Sequence, residues 1–285
     1  MPHNITGLDH TLVGVADLKA SRKTYQNLGF TVTPRGSHIG WGTANYCIML
    51  ENDYIELLGI VDASKETNGL RELLDERGEG MLGMAFASDD PEQTVVLLAE
   101  ADLNPVGPLD LCRKLELPEG DVLPEFKLIR FDTEGVPPQG LFICHHLTPD
   151  LIRKKEWEQH ANGARYVHSI VVLVDNPTEL VPYYSKLCGM LNVTLTDATL
   201  TVRVGRLNLT FVTEPDLDLL FPGLFIPADM PPFPHILSMT IAVENLAKTK
   251  TSLEHTSIPI QEVSGGVIRV QPAQASGVLL EFIEA

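Results

Sequence analysis

The sequence predicts an α+β fold made of four βαβββ modules arranged as two pairs. Three observations carry that prediction. First, one plan occurs four times: an apolar strand, an Asp or Asn placed to cap a helix, then a segment of helical period. The copies read His10 to Asp17, Gly83 to Asp90, His168 to Asp175 and Ser238 to Asn245. Second, each helical segment is followed by alternating strand-like runs. Third, the copies start at intervals of about 70 to 85 residues, longer than solenoid repeats, so the arrangement is paired modules and not an array.

In the first module the strand covers 9–15, and Asp17 caps a helix over 18–27 that buries Tyr25 and Leu28. Gly29 supplies the positive-φ residue that ends it. A strand at 30–33, a glycine-rich turn at 35–40 and strands at 44–51 and 53–60 follow. A short helix at 70–77 links to the second module, with a strand at 81–87 and a helix at 91–101 that starts on Pro91. The Pro-rich stretch 103–124 reads as a long loop with a little strand, before strands at 126–131 and 141–146. Thr148-Pro149-Asp150 then opens a connecting helix at 151–160. The division is therefore 1–150, a connector at 151–163, and 164–285. The third module has a strand at 167–174, a helix at 178–187 ending at Gly189, and strands near Val193, 199–204 and 208–212. A second Pro-rich linker spans 215–234. The fourth has a strand at 237–243, a helix at 246–255 and strands at 260–263, 266–270 and 278–283.

Composition narrows the function classes. The 285 residues are 44% hydrophobic and 21% charged, as in an ordinary globular protein. The formal charge of −17 opposes binding to nucleic acid. No apolar run reaches the length of a membrane span, and no secretory leader is evident at the N-terminus. Cys47, Cys112, Cys144 and Cys188 form neither a zinc pattern nor a disulfide framework, which suits a reduced cytoplasmic protein.

Four βαβββ modules with an early-strand histidine and a last-strand glutamate resemble the vicinal oxygen chelate superfamily. More narrowly, the chain resembles the glyoxalase-like-domain proteins. The stretches that carry the likeness are Gly7-Leu8-Asp9-His10, His38 to Asn45 leading to Asp53 to Gly59, and Cys144-His145-His146-Leu147-Thr148-Pro149 leading to Trp157. The resemblance implies that paired modules enclose a pocket. It also implies a divalent metal (Zn, Ni, Mn or Fe) bound by residues of the first and last strand of each module. Imidazole and carboxylate together suit such ions and leave positions open for substrate oxygens. A homodimer is a further expectation from the resemblance.

Module one has the full pair, His10 and Glu56. Module two places Gly83 opposite His10, and Cys144 opposite Glu56, with His145 and His146 just beyond. Strand alternation puts Cys144 and His146 on one face and His145 on the other, with the register open by one residue. The expected metal set is therefore His10, Glu56 and one of His145 or His146. Glu56 is equally the first choice for a general base beside a polarised carbonyl. His38, Trp41, Asn45 and Cys144 are expected at the pocket. In the second pair His168 and Glu281 are the candidates, two ligands of four. Arg203 and Arg269 are either anion-binding or surface residues. Each histidine also has a plain reading as a hydrogen-bonded core or rim residue. The expected function is a metal-dependent lyase, isomerase or dioxygenase acting on a small oxygenated molecule. The alternative is a metal-free small-molecule binding or sequestering protein of the same fold.

Overall fold

The structure is a computed structural model that describes residues 2–131, 133, 136–224 and 233–285. Module one consists of β1 (Ile5–Val15), α1 (Leu18–Asn27), β2 (Gly36–His38), β3 (Thr43–Met49) and β4 (Tyr54–Ile60). After α2 (Leu70–Arg77), module two comprises β5 (Gly80–Ser88), α3 (Pro91–Glu100), β6 (Val106–Leu115), β7 (Glu125–Arg130) and β8 (Leu141–His146). Module three has β9 (Ala164–Leu173), α4 (Val181–Cys188), β10 (Val193–Thr196), β11 (Thr199–Val204) and β12 (Leu207–Val212). A four-residue α5 (Leu217–Leu220) precedes module four, which has β13 (His235–Val243), α6 (Leu246–His255), β14 (Gln261–Val263), β15 (Val267–Val270) and β16 (Leu279–Glu284).

The helices start where the caps are. Asp17 accepts from the amides of Lys19 and Ala20, Asp90 from Gln93, and Asn245 from Lys248. Gly29, at φ 85°, turns the chain after α1.

The first two modules close into a barrel of order β1-β4-β3-β2-β6-β7-β8-β5, joined by antiparallel β1 and β5. The last two form an eight-stranded sheet of order β10-β11-β12-β9-β13-β16-β15-β14. One apolar core joins the outer faces of the two sheets with the helices. It contains Val13 and Val15 of β1, Tyr25 of α1, Leu98 of α3, Tyr184 of α4, Met239 and Ile241 of β13 and Leu253 of α6. Thr11 Oγ1 on β1 contacts Met239 Sδ on β13 at 3.7 Å across this seam.

Three expectations change. The stretch 103–124 is mostly β6, a ten-residue strand, which holds its edges by pairing with β2 and β7 despite its proline. The expected strand at 30–33 is extended chain without a ladder, and the strand lies at β2 instead. The connecting helix at 151–160 is a 3-10 turn, Pro149–Leu151, followed by irregular chain. Long-range bonds take its place. Arg153 donates to the carbonyls of Leu50 and Asn52, and His160 donates from Nε2 to Met49 O and accepts the Thr31 amide at Nδ1. Of the linker expected at 215–234, residues 225–232 lie outside the described residues.

Candidate functional site

The barrel encloses a cavity of about 440 Å³. Its wall is mainly apolar (Leu12, Leu58, Leu82, Leu128, Phe126 and Phe142), and it carries a polar patch of His10, His38, Asn45, Glu56 and Arg113. That mixture is usual for a small-molecule site.

A bulge in β1 creates the patch. Leu8 pairs with Phe86 and His10 with Ala85, so Asp9 is an extra residue with no partner on β5. Neighbouring strand residues normally face opposite sides; a bulge lifts that rule locally. Asp9 and His10 are both buried, and His10 Nδ1 donates to Asp9 Oδ1 at 2.5 Å. Beyond the bulge, alternation resumes: Thr11 faces the second sheet and Leu12 the cavity.

Asp9 is a hub. His146 Nε2 donates to its Oδ2 at 2.9 Å, and the Cys144 thiol also bonds to it. Burial alone would raise its pKa, but His146 and His10 outweigh that and hold Asp9 far below the ordinary carboxylate range. Burial and the Asp9 charge push the Cys144 thiol well up, so it stays protonated and donates. Asp9, Cys144 and His146 therefore form a group whose donor atoms lie within 4.8 Å of one another, with the carboxylate already accepting on every side.

The outer nitrogen of His10 faces Glu56, with Nε2 to Oε2 at 3.7 Å. Asn45 Nδ2 donates to Glu56 Oε1 at 2.6 Å, and His38 Nε2 stands 3.9 Å from the same oxygen. Burial raises the Glu56 pKa, but His10, His38, Arg113 and the Asn45 bond together bring it below its ordinary value, leaving a carboxylate. His38 is pushed down by burial, and its Nδ1 lies 2.9 Å from Thr43 Oγ1. The His10 ring stacks on Tyr54 at 4.6 Å.

This donor set fits a divalent cation in two positions. With Nδ1 committed to Asp9, His10 turns its Nε2 towards the Glu56 carboxylate, 3.7 Å away. That separation is too long for a hydrogen bond and suits two atoms bound to one ion at about 2.0–2.2 Å each. Asp9 stands behind His10 as the carboxylate that fixes a ligand's tautomer.

Register places the remaining candidates. His10 is opposite Tyr54 and Leu12 opposite Glu56, while in module two Ala85 is opposite Phe142 and Ala87 opposite Cys144. The irregularity at Leu82 on β5 mirrors the one at Asp9 on β1, so the counterpart of His10 is Gly83, as expected, and that of Leu12 is Ala85. Glu56 therefore corresponds to Phe142, opposite Ala85, and the expected match with Cys144 is off by two residues. His146 faces inward with Cys144. His145 points away from them and donates from Nδ1 to Ser88 O at 2.6 Å, so it is not part of the patch. Trp41 lines the cavity, 5.6 Å from His38. Asp9 and Arg113 were not among the sequence candidates. Only the bulge turns Asp9 inward, and β6 was read as loop.

In the second sheet the same irregularities occur. Ser169 pairs with Thr240, with His168 in the bulge, and Leu237 is skipped between Ile236 and Ser238. By this register Ser169 stands where His10 does, His168 where Asp9 does, and Thr210, opposite Val171, where Glu56 does. Glu281, opposite Thr240, corresponds to Phe142. Of the expected ligands of the second pair, His168 is therefore one residue off the His10 position, whereas Glu281 falls on the Glu56 position of its own module. Glu281 is bonded by Arg269 Nε at 2.9 Å, and Arg269 is 1% exposed, a buried partner and no surface residue. Leu217 and Phe221 pack on Val171, Leu237 and Leu279, filling the concavity that stays open in the barrel.

The comparisons agree with this architecture. Residues 8–188 match the glyoxalase-like domain family. No curated protein matches the chain. A hypothetical protein from Staphylococcus aureus superposes with a TM-score of 0.69 at 14% identity, covering 98% of this chain and 99% of that one. A mutant 4-hydroxymandelate synthase from Streptomyces coelicolor gives 0.60 at 10%, covering 100% and 93%. A xylose isomerase-like TIM barrel/4-hydroxyphenylpyruvate dioxygenase fusion protein gives 0.58 at 11%, covering 100% of this chain and 50% of that one. At such identities the likeness is one of fold. From the paired βαβββ modules and the match over more than half its length, the chain belongs to the glyoxalase-like domain family of the vicinal oxygen chelate superfamily.

Proposed function

We propose that the protein is a divalent-metal-dependent enzyme, of lyase, isomerase or dioxygenase type, acting on a small oxygenated molecule in the barrel cavity. The observation that carries this reading is the 3.7 Å approach of His10 Nε2 to Glu56 Oε2 on the cavity wall, with Asp9 holding the other ring nitrogen. His10 and Glu56 would hold the metal, whose chemistry is to polarise bound substrate oxygens. Asn45 fixes the Glu56 carboxylate, and Leu and Phe side chains keep bulk water from the wall. His38 is the nearest further imidazole to Glu56 and is a candidate for moving a proton at the substrate. Glu56, on the cavity wall, would alternatively serve as the base beside a polarised carbonyl.

A second reading is a metal-free binding or sequestering protein. Gly83 and Phe142, at the module-two positions of His10 and Glu56, favour it, because two of the four ligand positions then offer no ligand. Elemental analysis after metal-supplemented expression separates the two. Stoichiometric metal in the wild type, lost in H10A and E56Q, supports the enzyme. Metal-free protein that small molecules stabilise without turnover supports the binder. We further infer a cytoplasmic protein, from its unpaired cysteines, and a homodimer, from the habit of paired modules. Among the described residues no helix is long and apolar enough to cross a membrane.

A further inference from the structure

Arg113 is the unusual charge in the cavity. It sits on β6, 5% exposed, among the residues that line the barrel wall. Its partners are poor for a guanidinium. Nη1 donates to Cys47 Sγ at 3.3 Å, and the group lies over the Phe126 ring at 5.5 Å. Nε is buried with no partner among the described residues, and no carboxylate there comes within ion-pair distance of the group. Glu56 acts on it only at longer range and is already bonded by Asn45. Burial alone would lower the Arg113 pKa, but the surrounding groups raise it, so it remains charged.

The chain makes room for this group. A Cβ built at Gly36 would meet Asn45 Oδ1 at 2.0 Å and Arg113 Nη1 at 3.0 Å. Any larger residue on β2 would displace the amide and the guanidinium together. A buried guanidinium with five donors and one weak bond is costly unless an anion completes it. Its planar fork matches a carboxylate in two parallel bonds. The molecule itself shows the pairing once: in the second sheet Arg269, also buried, has the Glu281 carboxylate on it and lies over Phe221 at 5.6 Å.

We propose that the barrel cavity binds a small carboxylic acid, with the carboxylate on Arg113 and an apolar body against Phe126, Leu128 and Leu111. This names the substrate class for the site proposed above. It rests on that reading only for the location of the site, and not on the presence of a metal. Arg130, exposed at the same cavity, adds local positive charge to an otherwise acidic protein.

Calorimetry and thermal shift with phenylacetate and hexanoate, each against its neutral amide, test the proposal in chelator-treated and metal-loaded protein. The acids are expected to bind and stabilise in both preparations, with the amides weaker by roughly thirtyfold or more. R113M is expected to lose acid selectivity while keeping the wild-type thermal stability or exceeding it, because it removes an unpaired buried charge. Should R113M not fold, R113Q supplies the same reading. Amides that bind as well as acids, no binding by either acid at millimolar concentration, or unchanged acid binding in the Arg113 variants would overturn the proposal. Metal uptake without acid preference would overturn it and leave the metal reading intact, whereas acid binding to protein that takes up no metal would do the reverse.

Discussion

Asp9 and His10 are consecutive residues of one strand, yet both face the barrel interior, with His10 Nδ1 donating to Asp9 Oδ1 at 2.5 Å. The bulge that permits this also sets the histidine's tautomer, and so decides which nitrogen meets Glu56. Replacing Asp9 with Asn puts an amide NH₂ in reach of three donors, so the imidazole loses its anchor. D9N is expected to stay folded and to weaken divalent-cation binding about 10–100-fold, read by competition with a chromophoric chelator. Unchanged affinity would show that Asp9 is only a packing residue.

Asp53 lies where the barrel meets β9 and accepts the Val167 amide on both carboxylate oxygens, at 3.2 and 3.3 Å. Burial pushes its pKa up to about 8, although the Val167 bond and Arg153 pull the other way. An unfolded Asp titrates near about 3.9. A carboxyl whose folded pKa is raised gives stability that is full below the unfolded value and is lost as pH rises through the folded one. Wild-type stability relative to D53N should therefore fall steadily from pH 4 to pH 8. Urea melts at several pH values measure it, and a flat difference would refute the assignment.

The Arg269–Glu281 pair is buried on both sides. R269M leaves the Glu281 carboxylate without its main partner and is expected to cost about 3–5 kcal/mol, while R269M with E281L should recover most of the loss. Chemical denaturation of the single and double variants gives the coupling. Ligand binding in the barrel should be unaffected.

Cysteine labelling offers a simple check of the packing. Cys47, Cys144 and Cys188 are buried, and Cys112 is partly exposed. Burial pushes the Cys188 thiol up to about 12, and Cys47 is raised too. Iodoacetamide at neutral pH should modify Cys112 first, with the other three protected until the protein unfolds. Peptide mass spectrometry reads the order.

Much of this was legible in the residues. The four strand–cap–helix copies give the modules, because Asp17, Asp90 and Asn245 act locally as caps and the helical periods lie in the chain itself. His10 and Glu56 were likewise visible as an early and a late strand residue, and the structure sets them face to face. What was hidden depends on partners far away in sequence. The bulge at Asp9 exists only against β5, so strand alternation alone would turn that residue outward. β6 carries a Pro and several charges and is held by its neighbours, which concealed Arg113. The alignment of His168 with His10 was off by one for the same reason, since an unpaired residue shifts every count beyond it.

The filled concavity of the second sheet has a use beyond its own stability. Val171, Leu237 and Leu279 hold Leu217 and Phe221 at register positions matched in the barrel by Leu12, Leu82 and Gly140, all of which border the empty space. The segment around α5 thus behaves as a tethered guest, and the protein carries within one chain both the vacant host and a worked template for its occupant. A ligand series for the barrel can be drawn from that template: an aromatic or branched body of the bulk of Phe221, with an acid near an arginine.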